Sequence, residues 1–124
     1  MEWNKIKNTC PESWYELIDY IAEPGLYKER RIRITGSSLA ADSCDENGEW
    51  TQIETLIDRD LYEFFEQNGI FVVILYNEWF GYFSYEIYSE AKNEVSTRFE
   101  SRKDAEEHAF TRAFAILEKE FAEV

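Results

Sequence analysis

Residue types on which many small proteins rely are scarce in this 124-residue chain. Its two cysteines, Cys10 and Cys44, are too few for a disulfide framework and form no C-x-x-C pair. Its single histidine, His108, stands far in sequence from both cysteines, so no zinc-ligand spacing exists. No apolar run approaches the roughly 20 residues of a membrane-spanning helix. The opening stretch MEWNKIKNTCPESW contains neither an apolar core nor a small-residue cleavage site of a secretory signal. "TGSSLA" lacks the glycines and the lysine of a phosphate-binding loop, and Ser84 in "GYFSYEIYS" is not framed as G-x-S-x-G. These absences lead to the expectation of a reduced, cytoplasmic, non-enzymatic protein with no cofactor and no membrane contact.

Basic charge is the other shortage. Thirteen Lys and Arg face 26 Asp and Glu, a net charge of −13. Such a surface repels nucleic acid and anionic membranes, favours basic partners, and also keeps a protein soluble. The acids concentrate in residues 40–66, where Asp42, Asp45, Glu46, Glu49, Glu54, Asp58, Asp60, Glu63 and Glu66 accompany one base, Arg59. "KERRIR", from Lys28 to Arg33, is a short basic island.

Hydrophobic residues at 44% and aromatics at 17% are ample for a folded core in one α+β domain. Thr9-Cys10-Pro11-Glu12 reads as a capping box opening a helix whose apolar face is Trp14, Leu17, Ile18 and Ile21, stopped by Pro24-Gly25. "RRIRIT" alternates as a half-buried strand, and "TGSSLAADSCDENGE" reads as a polar loop. That loop divides an N-terminal section, residues 1–49, from a module at 50–124. Trp50, Ile53, Ile57, Leu61 and Phe64 form a helical stripe that ends at Asn68-Gly69. "IFVVILY" reads as a buried strand, "YFSYEIYS" and "EVSTRFE" as alternating strands, with a hairpin between Asn77 and Gly81. A last helix opens on the cap box Ser101 to Asp104 and buries Phe110, Ala113, Phe114, Leu117 and Phe121. The expected module is an antiparallel sheet packed by helices, in the order helix, three strands, helix.

That order resembles the double-stranded-RNA-binding domain over residues 58–121. The family's second helix opens Ser-Lys-Lys-x-Ala-Lys; the matching stretch here reads Ser101-Arg102-Lys103-Asp104-Ala105-Glu106, followed by Ala109, Ala113 and Leu117. The resemblance implies that Arg102 and Lys103 grip phosphates across a groove. Glu106 stands in the third basic position, "DRDLYEFFEQNG" is acidic, and the loop "NEWFGY" lacks the family's histidine, so RNA binding is not the expected use. In size, charge and ending, the chain also resembles small acidic proteins encoded by bacteriophages and other mobile elements.

Two constellations remain. "SCDENGEWTQIE" sets Asp45, Asn47 and Glu54 at calcium-loop positions, though Ser43 replaces the first Asp; a plain Asn-Gly turn is the alternative. His108 is expected on the polar side of the last helix, four residues after Asp104. Aromatics crowd the hairpin, with Tyr76, Trp79, Phe80, Tyr82 and Tyr88 more numerous than a small core readily hides. The function read from these features is a protein-interaction module. Carboxylates of residues 42–66, among them Asp58, Asp60, Glu63 and Glu66, steer a basic partner, which Trp79, Phe80 and Tyr82 anchor. The alternatives are a nucleic-acid mimic, whose carboxylates replace phosphates in a basic groove, and a degenerate RNA-binding domain.

Overall fold

The computed structural model describes residues 1–21, 30–35, 38–56, 58–90 and 93–123. The expected stop at Pro24-Gly25, the start of the basic island at Lys28, Ile57, and the side chains of Ile53 and Glu54 lie outside the described residues. Four helices and two three-stranded antiparallel sheets give an α+β protein. The chain divides into two compact units, Met1–Asp60 and Leu61–Val124.

In the first unit, α1 (Trp3–Thr9) and α2 (Pro11–Ile21) precede β1 (Arg30–Thr35), β2 (Ser38–Cys44) and β3 (Trp50–Thr55). Trp3 and Ile6 of α1, Cys10 at the junction, and Trp14, Leu17 and Ile21 of α2 are buried, with the Trp3 and Trp14 rings 6.2 Å apart. α1 is an addition to the sequence reading, and it changes the role of Thr9. The Thr9 hydroxyl donates to the Lys5 carbonyl at 2.7 Å and closes α1, where it had been expected to cap the next helix.

Two further segments correct the reading. Residues 38–44, expected as loop, are the central strand β2, pairing β1 and β3 on its two sides. Residues 50–55, expected to begin a helix, are β3. The small side chains of Ala40 and Ala41, both buried, suit a strand enclosed on each face; the helical spacing of Trp50 and Ile53 was coincidental, whereas Leu61 and Phe64 of the same stripe do lie in a helix. Between β2 and β3, Asn47-Gly48 sits in a three-residue turn with Gly48 at φ +79°.

The second unit holds β4 (Phe71–Asn77), β5 (Tyr82–Tyr88), β6 (Asn93–Val95) and α4 (Arg102–Ala122). α3 (Asp58–Gln67) leads into it and carries its buried Leu61, Phe64 and Phe65 from the second turn on. α3 ends as expected at Asn68-Gly69: Gly69 N–H donates to the Glu66 carbonyl and Ile70 N–H to the Phe65 carbonyl, with Gly69 at φ +76°. α4 starts where Ser101 accepts a hydrogen bond from Asp104 N–H at 3.1 Å. Ala105, Ala109, Phe110, Ala113, Phe114 and Leu117 are buried along it; Phe121 is only half-buried.

Rings make this core. Phe65 meets Phe114 edge-on at 4.8 Å and stacks on Phe110 at 6.1 Å, while Tyr62 meets Phe110 edge-on at 5.0 Å. α3 therefore packs on α4, and α4 packs on β5 and β4. The sheet order is β4-β5-β6, with Phe71 opposite Tyr88, Val73 opposite Glu86 and Leu75 opposite Ser84. Paired residues share a face, so Tyr85 and Ile87 point toward α4 and are buried. The other face carries Phe71, Val73, Leu75, Ser84, Glu86, Tyr88 and Val95. "IFVVILY" was expected as a buried strand; β4 instead lies at the sheet edge with Phe71, Val73 and Leu75 exposed.

Candidate functional site

The β4–β5 hairpin turn is built by Asn77. Its side-chain oxygen accepts from Trp79 N–H at 3.0 Å and from Phe80 N–H at 3.2 Å, while its carbonyl accepts from Gly81 N–H at 2.8 Å. Gly81 closes the turn at φ +69°, a region that only glycine enters freely. With the backbone amides consumed inward, the two side chains between them point outward. Trp79 is 87% exposed and Phe80 is 74% exposed; Tyr76, which is also exposed, packs instead against Phe83 at 4.8 Å. Phe80 stacks on Tyr82 at 6.4 Å, and the Arg98 guanidinium lies 4.7 Å above Tyr82 and 5.9 Å from Phe80. Of the three residues expected to act together, Phe80 and Tyr82 are in contact, and Trp79 precedes Phe80 in the same turn.

The open sheet face begins at this turn. Val95 is 76% exposed and Phe71 49%, with Val73, Leu75 and Tyr88 also exposed. Glu86 sits among them, flanked in register by Val73 on β4 and Val95 on β6. The Tyr88 hydroxyl donates to Glu86, and that bond, more than burial, raises the Tyr88 pKa above its ordinary value. Sequence reasoning missed this face. The alternation of β5, which interleaves Ser84 and Glu86 with Tyr85 and Ile87, was the available signal.

The carboxylates expected to steer a partner separate into three groups. Asp42 is buried. Its carboxylate takes Arg31 Nε at 2.9 Å and Arg33 Nε at 2.5 Å on one oxygen, and Arg33 Nη2 at 3.0 Å on the other. The bonds from Arg33 and then Arg31 lower its pKa to about 2, and Asp42 in turn raises that of Arg33. Arg31 also lies 4.3 Å over the Trp50 ring. Asp42 is therefore a structural ion-pair partner and not a steering charge, and it occupies two arginines of the basic island. Asp45 organises the β2–β3 turn by accepting from Asn47 N–H at 2.8 Å and Glu49 N–H at 2.9 Å. On α3, Asp58, Glu63 and Glu66 are exposed and Asp60 is half-buried, away from Leu61, Phe64 and Phe65.

The calcium-loop arrangement gives way to that turn: Asp45 and Asn47 belong to it, and Glu54 lies in β3 opposite Ala41. Among the described residues no group of three or more His, Cys, Asp or Glu is arranged to hold a metal ion. Arg102 pairs with the largely buried Glu106 at 2.9 Å beside Tyr62, so its charge is already answered; Lys103 is exposed. Burial first, and the Glu106 charge second, push the Tyr62 hydroxyl up to about 12. His108 holds Tyr85 through a 2.8 Å bond between Nδ1 and the phenol oxygen, with Phe99 5.3 Å from its ring. No helix among the described residues is long and apolar enough to cross a membrane. No known protein family, curated protein or solved structure matches the chain.

Proposed function

We propose that the chain is a protein-interaction module, without catalytic activity, that binds a basic partner protein through the aromatic β4–β5 turn. The observation carrying this reading is the outward presentation of Trp79 and Phe80 on a turn held by Asn77 and Gly81. Large rings left in water on a rigid turn favour burial against another protein, and Trp and Tyr lead among residues that dominate such interfaces. The net charge of −13 biases encounter toward a basic surface, and the exposed acids of α3 contribute to that field.

The test is affinity capture with the wild-type chain and with Trp79→Ala and Phe80→Ala, each first shown to be folded by circular dichroism. The reading expects a basic protein whose recovery falls about tenfold or more in each variant, the loss of an interface anchor. Equal recovery by wild type and both variants overturns it. Displacement of that partner by duplex DNA, with recovery insensitive to Trp79, would instead mark the α3 carboxylates as phosphate substitutes.

A further inference from the structure

We infer that the open face of the β4–β5–β6 sheet docks an amphipathic helix of the partner, with Glu86 receiving one lysine or arginine set within that helix's apolar stripe. The inference rests on the protein-interaction reading above and specifies the partner's contacting element.

Three observations carry it. First, the face exposes apolar side chains on all three strands, Phe71, Val73 and Leu75 on β4, Tyr88 on β5 and Val95 on β6, beside Ser84, Glu86 and Asn93, while α4 packs on the opposite face. A sheet covered by a helix on one side accepts a second helix on the other by the same layer packing. The seven residues of β4 span about 23 Å at strand rise, which a helix of roughly 15 residues covers. Second, Glu86 stands inside the patch, between Val73 and Val95 and anchored by Tyr88. A carboxylate so placed is costly to cover with apolar surface alone and is satisfied by a single opposing cation. Third, the charge selects among occupants. A second copy laid face to face about a twofold axis through β5 would oppose Glu86 to Glu86 and bring together two chains each of charge −13. A basic helix meets neither penalty. At the turn end of the face Arg98 is layered over Tyr82, which leaves Glu86 as the carboxylate at the centre.

The experiment is a titration of the full chain with two synthetic helical peptides of roughly 15 residues, the length set above. Both carry leucines at i, i+3, i+4 and i+7 spacing and lysines on the opposite side; they differ only in a lysine or a glutamate at the centre of the leucine stripe. Wild type is expected to bind the central-lysine peptide about tenfold more tightly than the central-glutamate peptide. Glu86→Gln should reduce that ratio to near one, and Glu86→Lys should invert it. Val95→Asp should weaken both. A preference unchanged in the Glu86 variants, or no binding of either peptide to wild type, overturns the inference. Binding that responds to Trp79→Ala but not to Glu86→Gln or Val95→Asp overturns it while leaving the aromatic-turn reading standing. Sedimentation showing a wild-type dimer that Val95→Asp dissociates assigns the face to a second copy, and overturns it as well.

Discussion

The two units each contain a three-stranded antiparallel sheet in simple sequential order, yet the two sheets enclose different groups. The sheet of the first unit encloses a charge: Asp42 on the central strand, bound by Arg31 and Arg33 from β1. The sheet of the second unit is packed with rings and aliphatics, Tyr85 and Ile87 beneath α4 and Phe64, Phe65, Phe110 and Phe114 beyond it. An ion pair has strict geometric demands and depends on pH, whereas a ring cluster depends on volume. The apolar unit has aromatic side chains to spare, and they emerge at its turn and open face.

Substitutions separate these two modes of support, and amide hydrogen exchange reads each sheet by itself. The largest effect is expected from Phe114→Ala, which removes a fully buried ring in contact with Phe64 and Phe65 and costs about 3–5 kcal/mol of stability. The loss should register in β4, β5 and α4 exchange; protection unchanged there would contradict the assigned core. Next comes acid. Asp42 titrates at about 2 in the folded chain, below the ordinary carboxylate value near 4, so its stabilisation is complete above that ordinary value and is lost as pH falls through about 2. Protection of β1 and β2 amides, taken relative to the intrinsic exchange rate at each pH, should therefore fall across that acid range, and Asp42→Asn should abolish the Asp42 component of that fall while weakening the sheet at neutral pH. An identical acid profile in the variant would remove the ion pair from the account. Ser101→Ala should cost about 1 kcal/mol through the lost cap on α4, read as a lower melting temperature. Smallest is Trp79→Ala, expected within about 0.5 kcal/mol of wild type because the ring is almost wholly in water.

The same contrast explains what could be read from residue order. The second unit was largely legible because its signals are local: the alternation of β5, the glycine after α3, the Ser101 cap and the apolar stripe of α4 each arise within a few residues. The first unit was not. A central strand of Ala40, Ala41 and Asp42 has neither β-branched residues nor alternation, and its buried aspartate makes sense only once two arginines from a neighbouring strand reach it. β3 was hidden by the chance helical spacing of Trp50 and Ile53. Of the candidate site, the aromatic turn was legible from Asn77 and Gly81. The exposure of β4 was not, because a continuous apolar run looks the same whether a strand is central or at an edge.

The central claim, that the aromatic turn of the second unit is the contact surface, is tested most directly by site-specific photo-cross-linking. A benzoylphenylalanine is placed at position 80, or at position 15 in place of the exposed Tyr15 of α2 as an aromatic control in the first unit. The account predicts a protein adduct from position 80 and none from position 15; adducts of equal yield from both positions, or none from position 80, would contradict it.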